Sequence, residues 1–206
     1  MITIIKLNRI IILIAIFIII FSISASAVVE PNWQVIKNRS LNNLTEDPYN
    51  IKDNYKLVIS HVNLGDIKAA YNKINEFENK FNETKFIDTI SPYLKEVYKY
   101  PDSILILNYC AFYGVIVKDY DLSIHYFDKI LKLTPKNYNI RNFLAASYIE
   151  LNEYDTAVEE INKALDTQDN EFSHLLMGVV HYERGNIFKA LSEFSKSGSL
   201  GRELIK

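Results

Sequence analysis

The strongest constraint on the fold of this chain is that it repeats itself. Tyr120-Asp121-Leu122-Ser123 returns as Tyr154-Asp155-Thr156-Ala157 and again as Ile187-Phe188-Lys189-Ala190, at a spacing of about 34 residues. Gly65-Asp66-Ile67-Lys68-Ala69-Ala70 has the same shape earlier in the chain. A period of that length holds a helix, a tight turn and a second helix, and one such unit cannot bury its own apolar face. Stacked neighbours can, which predicts an all-α solenoid rather than a globule around one centre. Six glycines and five prolines in 206 residues agree, being too few for a turn-rich β-sandwich.

Each recurring residue type answers a steric demand. Ala111, Ala145 and Gly178 on the first helices must be small, because Ser123, Ala157 and Ala190 of the second helices cross against them. Gly65, Asn152 and Gly185 fall where a first helix ends and the chain turns through the left-handed region. Asp66, Glu153 and Asn186 follow as starts for the next helix. Phe127, Ile161 and Phe194 fill the space between paired helices, and Pro135 closes one unit before the next.

These positions together resemble the tetratricopeptide repeat family. The match is best over residues 141–165, through Leu144, Ala145, Tyr148, Asn152, Tyr154, Ala157, Ile161 and Ala164. It extends to residues 174–194 and 107–135. The resemblance implies a right-handed α-α solenoid with about three clear units, near 104–137, 138–170 and 171–204. A degenerate first hairpin is expected within 47–100, because Val58 replaces the small residue there and Phe77 stands where Ala164 and Ser197 stand later. Residues 84–100 add a helix or two, broken at Ser91-Pro92, and Asp47-Pro48 reads as a helix start. Gly114 falls where later units carry Tyr148 and His181, so the helix around it is expected to pack loosely.

The N-terminus is different in kind. Lys6 and Arg9 precede an unbroken apolar run at 10–21, and Ala25-Ser26-Ala27 offers the small residues of a signal peptidase site. Residues 1–27 read as a secretory signal, with an uncleaved membrane anchor as the alternative. Either way Lys6 and Arg9 hold the N-terminus in the cytoplasm and the body is exported. Residues 28–46 read as a polar connector without sustained periodicity, in which Trp33 either packs on the first helix or rests at a membrane interface.

The chemistry of the body points away from catalysis. Lys6 and Arg9 are the only charges before Glu30, so the body is mildly acidic and lacks a nucleic-acid footprint. A single cysteine, Cys110, rules out an intrachain disulfide framework and reads as a small buried hydrophobe. Glu171 and His174 form one Glu-x-x-His pair, but a di-metal helical centre needs a second pair and two further carboxylates. No cofactor or metal is expected, and His61, His125, His174 and His181 read as packing or surface residues. Glu159 and Glu160, with Lys163 nearby, read as a solvated face with surface pairing. No nucleophile elbow, metalloprotease helix or phosphate loop is present, so the chain reads as no enzyme.

In the family resembled, first helices line a concave face that binds a peptide or a partner helix. The helical phase puts Asn108, Phe112, Asn142, Phe172, Val179 and Tyr182 on that face, each aromatic either open to the groove or packed on a neighbouring helix. Phe112, Ala146 and Val179 stand where some relatives carry a carboxylate clamp, so that activity does not carry over. Gly198 and Gly201 interrupt the residues after Phe194, leaving the last unit short of a full cap and open to a partner or a second copy. The expectation is an exported, noncatalytic scaffold or adaptor for a protein or peptide at the cell envelope. A membrane-anchored structural subunit of a larger complex is the alternative.

Overall fold

A computed structural model describes residues 29–80 and 83–204, and every regular element there is helical. In order these are α1 (Trp33–Glu46), α2 (Ile51–Asn63), α3 (Ile67–Lys80), α4 (Glu83–Leu94), a 3-10 helix (Lys95–Tyr98) and α5 (Ile104–Val117). Then come α6 (Tyr120–Leu133), α7 (Tyr138–Glu150), α8 (Tyr154–Thr167), α9 (Glu171–Glu183), α10 (Ile187–Lys196) and α11 (Gly198–Leu204). The pairs α5/α6, α7/α8 and α9/α10 are tetratricopeptide-type hairpins stacked in sequence, with α6 against α7 and α8 against α9. The predicted leader, 1–27, lies outside the described residues. Among those described, no helix is long and apolar enough to cross a membrane.

The helix boundaries follow from a few polar side chains. Asn32, Asn50, Ser103, Asn137 and Asn170 each accept a hydrogen bond from the backbone N–H three residues on, starting α1, α2, α5, α7 and α9. Asp66 does the same for α3, but Glu153 and Asn186 make no side-chain cap. First helices end in one repeated turn. Gly65, Lys118, Asn152 and Gly185 have φ of 80°, 58°, 62° and 72°. The N–H that follows each returns to the carbonyl of His61, Gly114, Tyr148 or His181. Lys118 occupies this left-handed position with a full side chain, so Lys118→Gly is expected to stabilise the fold by about 1 kcal/mol. A urea midpoint unchanged or lowered by the substitution would contradict that.

The close helix crossings hold as read from the sequence. Ala111, Ala145, Ala157, Ala190 and Ser123 are buried. A Cβ built on Gly178 would overlap the Phe194 ring. Gly114 is a correction: it is buried, and a Cβ there would lie 2.5 Å from Ser123 Oγ and 2.7 Å from the Asp119 carbonyl oxygen. The α5/α6 hairpin is therefore tight at Gly114 because the two backbones approach there.

Other expectations change as well. The connector at 28–46 contains α1, which buries Ser40 and packs along α2, with Trp33 against the main apolar cluster. Asp47-Pro48 does not start a helix. Asp47 caps the end of α1 and accepts from Tyr49 N (3.3 Å) and Asn50 Nδ2 (3.3 Å), leaving Asn50 to begin α2. Ser91-Pro92 does not break α4, because Pro92 sits in the last turn, where its missing N–H affects one carbonyl only. The chain after Phe194 folds into α11, whose Leu200 is buried against α9.

Candidate partner-binding surfaces

The six residues read as a groove separate into two groups. Asn108, Phe112 and Asn142 are buried, which corrects the expectation that they face an open groove. Phe172 and Val179 are half-buried, and Tyr182 is exposed. α2 packs against α5 and α7 as well as α4. Asn63, the last residue of α2, donates from Nδ2 to Asn108 Oδ1 at 2.9 Å, and Asn108 Nδ2 donates to the Ile104 carbonyl at 2.8 Å. Asn142 donates to Asn170 Oδ1 (3.1 Å) and accepts from Ser173 Oγ (2.8 Å), which ties α7 to the start of α9.

The aromatics expected in the groove bind the units to one another instead. Phe112 meets Phe127 edge-on at 5.2 Å between ring centres and Phe143 at 5.1 Å, and Phe143 in turn meets Phe172 at 5.2 Å. This ladder runs from α5 through α7 to α9, and such ring pairs contribute beyond their buried area. Beside it, Ile67 at the start of α3 is buried together with Leu175 of α9 and Leu200 of α11. One apolar cluster thus draws on α3, α9 and α11.

A different surface is open. Phe188 is 91% exposed, Leu191 60% and Tyr182 58%, with Ile187 alongside, all at the end of the last hairpin. In the repeat register Phe188 stands where earlier units carry Asp121 and Asp155, and Leu191 where they carry Ile124 and Val158. Ile124 and Val158 are half-buried and pack into the apolar clusters that join one unit to the next. Leu191 has no such cover among the described residues.

Burial pushes the Cys110 thiol up to about 11, so it carries little thiolate at neutral pH. His174 brings Nδ1 to Glu193 (2.6 Å) and Nε2 to Asp169 (2.8 Å), clamping α9 to α10. Burial pushes Glu193 up, but hydrogen bonds from Lys196 and His174 outweigh it and hold the carboxyl below its ordinary value. His61 contacts Asp66 (3.1 Å) across the turn after α2, and its burial holds the imidazole below the usual histidine range. Glu160 is a correction: it is buried, and its carboxylate takes Arg141 from α7 as well as Lys163. Among the described residues, no three histidine, cysteine or carboxylate side chains gather as a metal site.

The architecture defines a tetratricopeptide-type α-solenoid. Residues 117–192 match the tetratricopeptide repeat family, a stretch that holds α6, α7, α8 and α9 and ends within α10. Similar solved structures carry the name MamA. MamA from AMB-1 has a TM-score of 0.52 at 17% identity, covering 84% of this chain and 99% of that one. MamA from Desulfovibrio magneticus RS-1, residue 41 to the end, has a TM-score of 0.52 at 15% identity, covering 84% and 96%. At these identities the likeness is one of fold. The comparison with curated proteins finds no match.

Sequence reasoning missed Asn63 and Ile67 as occupants of the first-helix face. The signal was available in the register. Asn108 and Asn142 are equivalent, and Leu175 replaces the amide in the third unit. Asn108 meets Asn63 and Leu175 clusters with Ile67, whereas Asn142 meets Asn170 and Ser173.

Proposed function

We propose that this chain is an exported, noncatalytic scaffold at the cell envelope that assembles through protein contacts, beginning with a second copy of itself. The observation that supports this best is the uncovered apolar end of the last hairpin, Tyr182, Ile187, Phe188 and Leu191. A solenoid end normally carries polar residues, and an aromatic where earlier units place aspartate favours burial by a partner. Phe172 and Val179 adjoin this end through α9 and belong to the same reading, whereas Asn108, Phe112 and Asn142 act in it only as support. Export rests on the leader at 1–27, and the membrane-anchored structural subunit stays as the alternative for a chain that keeps it.

Light scattering on residues 28–206 tests the assembly. The expected result is a mass that rises with concentration for the wild type and stays monomeric for Phe188→Asp with Leu191→Asp. A wild-type monomer over a wide concentration range would sink the self-association. Sequencing the N-terminus of the mature protein separates cleaved from anchored forms, since a start at Val28 removes the anchor.

A further inference from the structure

We infer that copies of this chain assemble head to tail, the apolar end of one chain's last hairpin seating in a cleft at the front of the next. This rests on the assembly proposed above and names the surface of the second copy that receives Phe188 and Leu191. The cleft opens between α1, α2 and α3 and holds about 610 Å³. Leu41, Leu44, Pro48, Tyr49, Leu57 and Ala69 form its apolar lining. Leu41 and Tyr49 are exposed although both are large and apolar in body. A concave apolar space of this size can bury a few large side chains. The opposite end of the molecule supplies them, since Phe188 and Leu191 lie three residues apart on α10 and project together from one face.

Charge decides which two surfaces meet. Lys189 follows Phe188, is exposed, and makes no ion pair among the described residues. Glu46 ends α1 two residues from both Leu44 and Pro48 of the cleft, and it too is exposed without an ion pair among those residues. Pairing the apolar end with its own copy about a two-fold axis would set one Lys189 against the other. Seating it in the cleft brings Lys189 towards Glu46 instead, and like charges across an interface select against the first arrangement. The repeat points the same way. Within the stack, α6 and α8 bury the equivalent face against α7 and α9, so it meets an unlike surface each time. A contact between unlike surfaces leaves every pair with one open end and one open cleft. Addition therefore continues until a ring closes or a filament grows.

The test mixes two variants of the full chain, purified as the host processes it, with mass read by light scattering. Phe188→Asp with Leu191→Asp blocks the end and puts at 188 the residue type of Asp121 and Asp155. Leu41→Gln with Tyr49→Gln blocks the cleft at its two exposed positions. Each variant alone is expected to need a concentration about tenfold higher than the wild type, or more, before it associates. Mixed in equal amounts below that concentration, they are expected to give the mass of two chains and no more, because one intact end meets one intact cleft. Thermal unfolding of each variant must match the wild type. If the cleft variant melts lower, Tyr49→Gln alone takes its place, with weakened association again expected. A cleft variant that associates as the wild type does, or a mixture that stays monomeric, would overturn the head-to-tail contact and leave self-assembly standing. A monomeric wild type would remove both.

Discussion

Truncating Phe112 to alanine is expected to destabilise the fold by about 3–5 kcal/mol. The ring is buried and meets Phe127 and Phe143 edge-on, so its removal leaves a hole at the joint between the first two hairpins. For a chain of this size the melting temperature should fall by about 10 °C. The distinction matters for interpretation, because the sequence places Phe112 on a binding face. Lost partner recovery with this variant would then report a softened solenoid, and Tyr182→Ala is the proper surface substitution. A Phe112→Ala protein with an unchanged denaturant midpoint would mean that the aromatic ladder carries little of the stability.

Arg141→Met is expected to cost about 3 kcal/mol, because it leaves the Glu160 carboxylate buried without its main partner. Lys163 also reaches Glu160, but from a half-exposed position where solvent competes for it. Arg141 further donates to the Pro135 carbonyl at 2.9 Å, so the pair fixes the turn that opens the second hairpin. The informative comparison is with the double variant Arg141→Met/Glu160→Met. Removing both charges is expected to restore most of the loss, since the penalty lies in the orphaned charge. Equal destabilisation of single and double variants, measured by urea unfolding in a double-mutant cycle, would place the cost elsewhere.

Much of the architecture is legible in the sequence because it rests on local steric rules. Small residues at 111, 145 and 178, and Gly65, Asn152 and Gly185 at the helix ends, each follow from backbone geometry that any repeat of this type must satisfy. What escaped was long-range. α1 has a polar sequence and gains its place by packing on α2, which no periodicity at 28–46 reveals. Glu160 looks solvated until Arg141 arrives from the preceding helix. Asn108, Phe112 and Asn142 were read on an open face and are buried. Helical phase states which way a side chain points, and Asn63 and Ile67 decide what it meets.

The apolar cluster of Ile67, Leu175 and Leu200 bears on how this chain could vary. In an open stack, units can be inserted or lost with little penalty beyond one more or one fewer neighbour interface. Here α3 shares one apolar cluster with α9 and α11, so an added unit would carry Leu175 and Leu200 away from Ile67. The number of hairpins between residues 104 and 196 is thereby fixed by closure, as the number of subunits in a ring is fixed by its curvature. The same cluster links α3 and α11 thermodynamically. Opening α3 or α11 must break into the same cluster, so the unfolding of these two helices should be coupled.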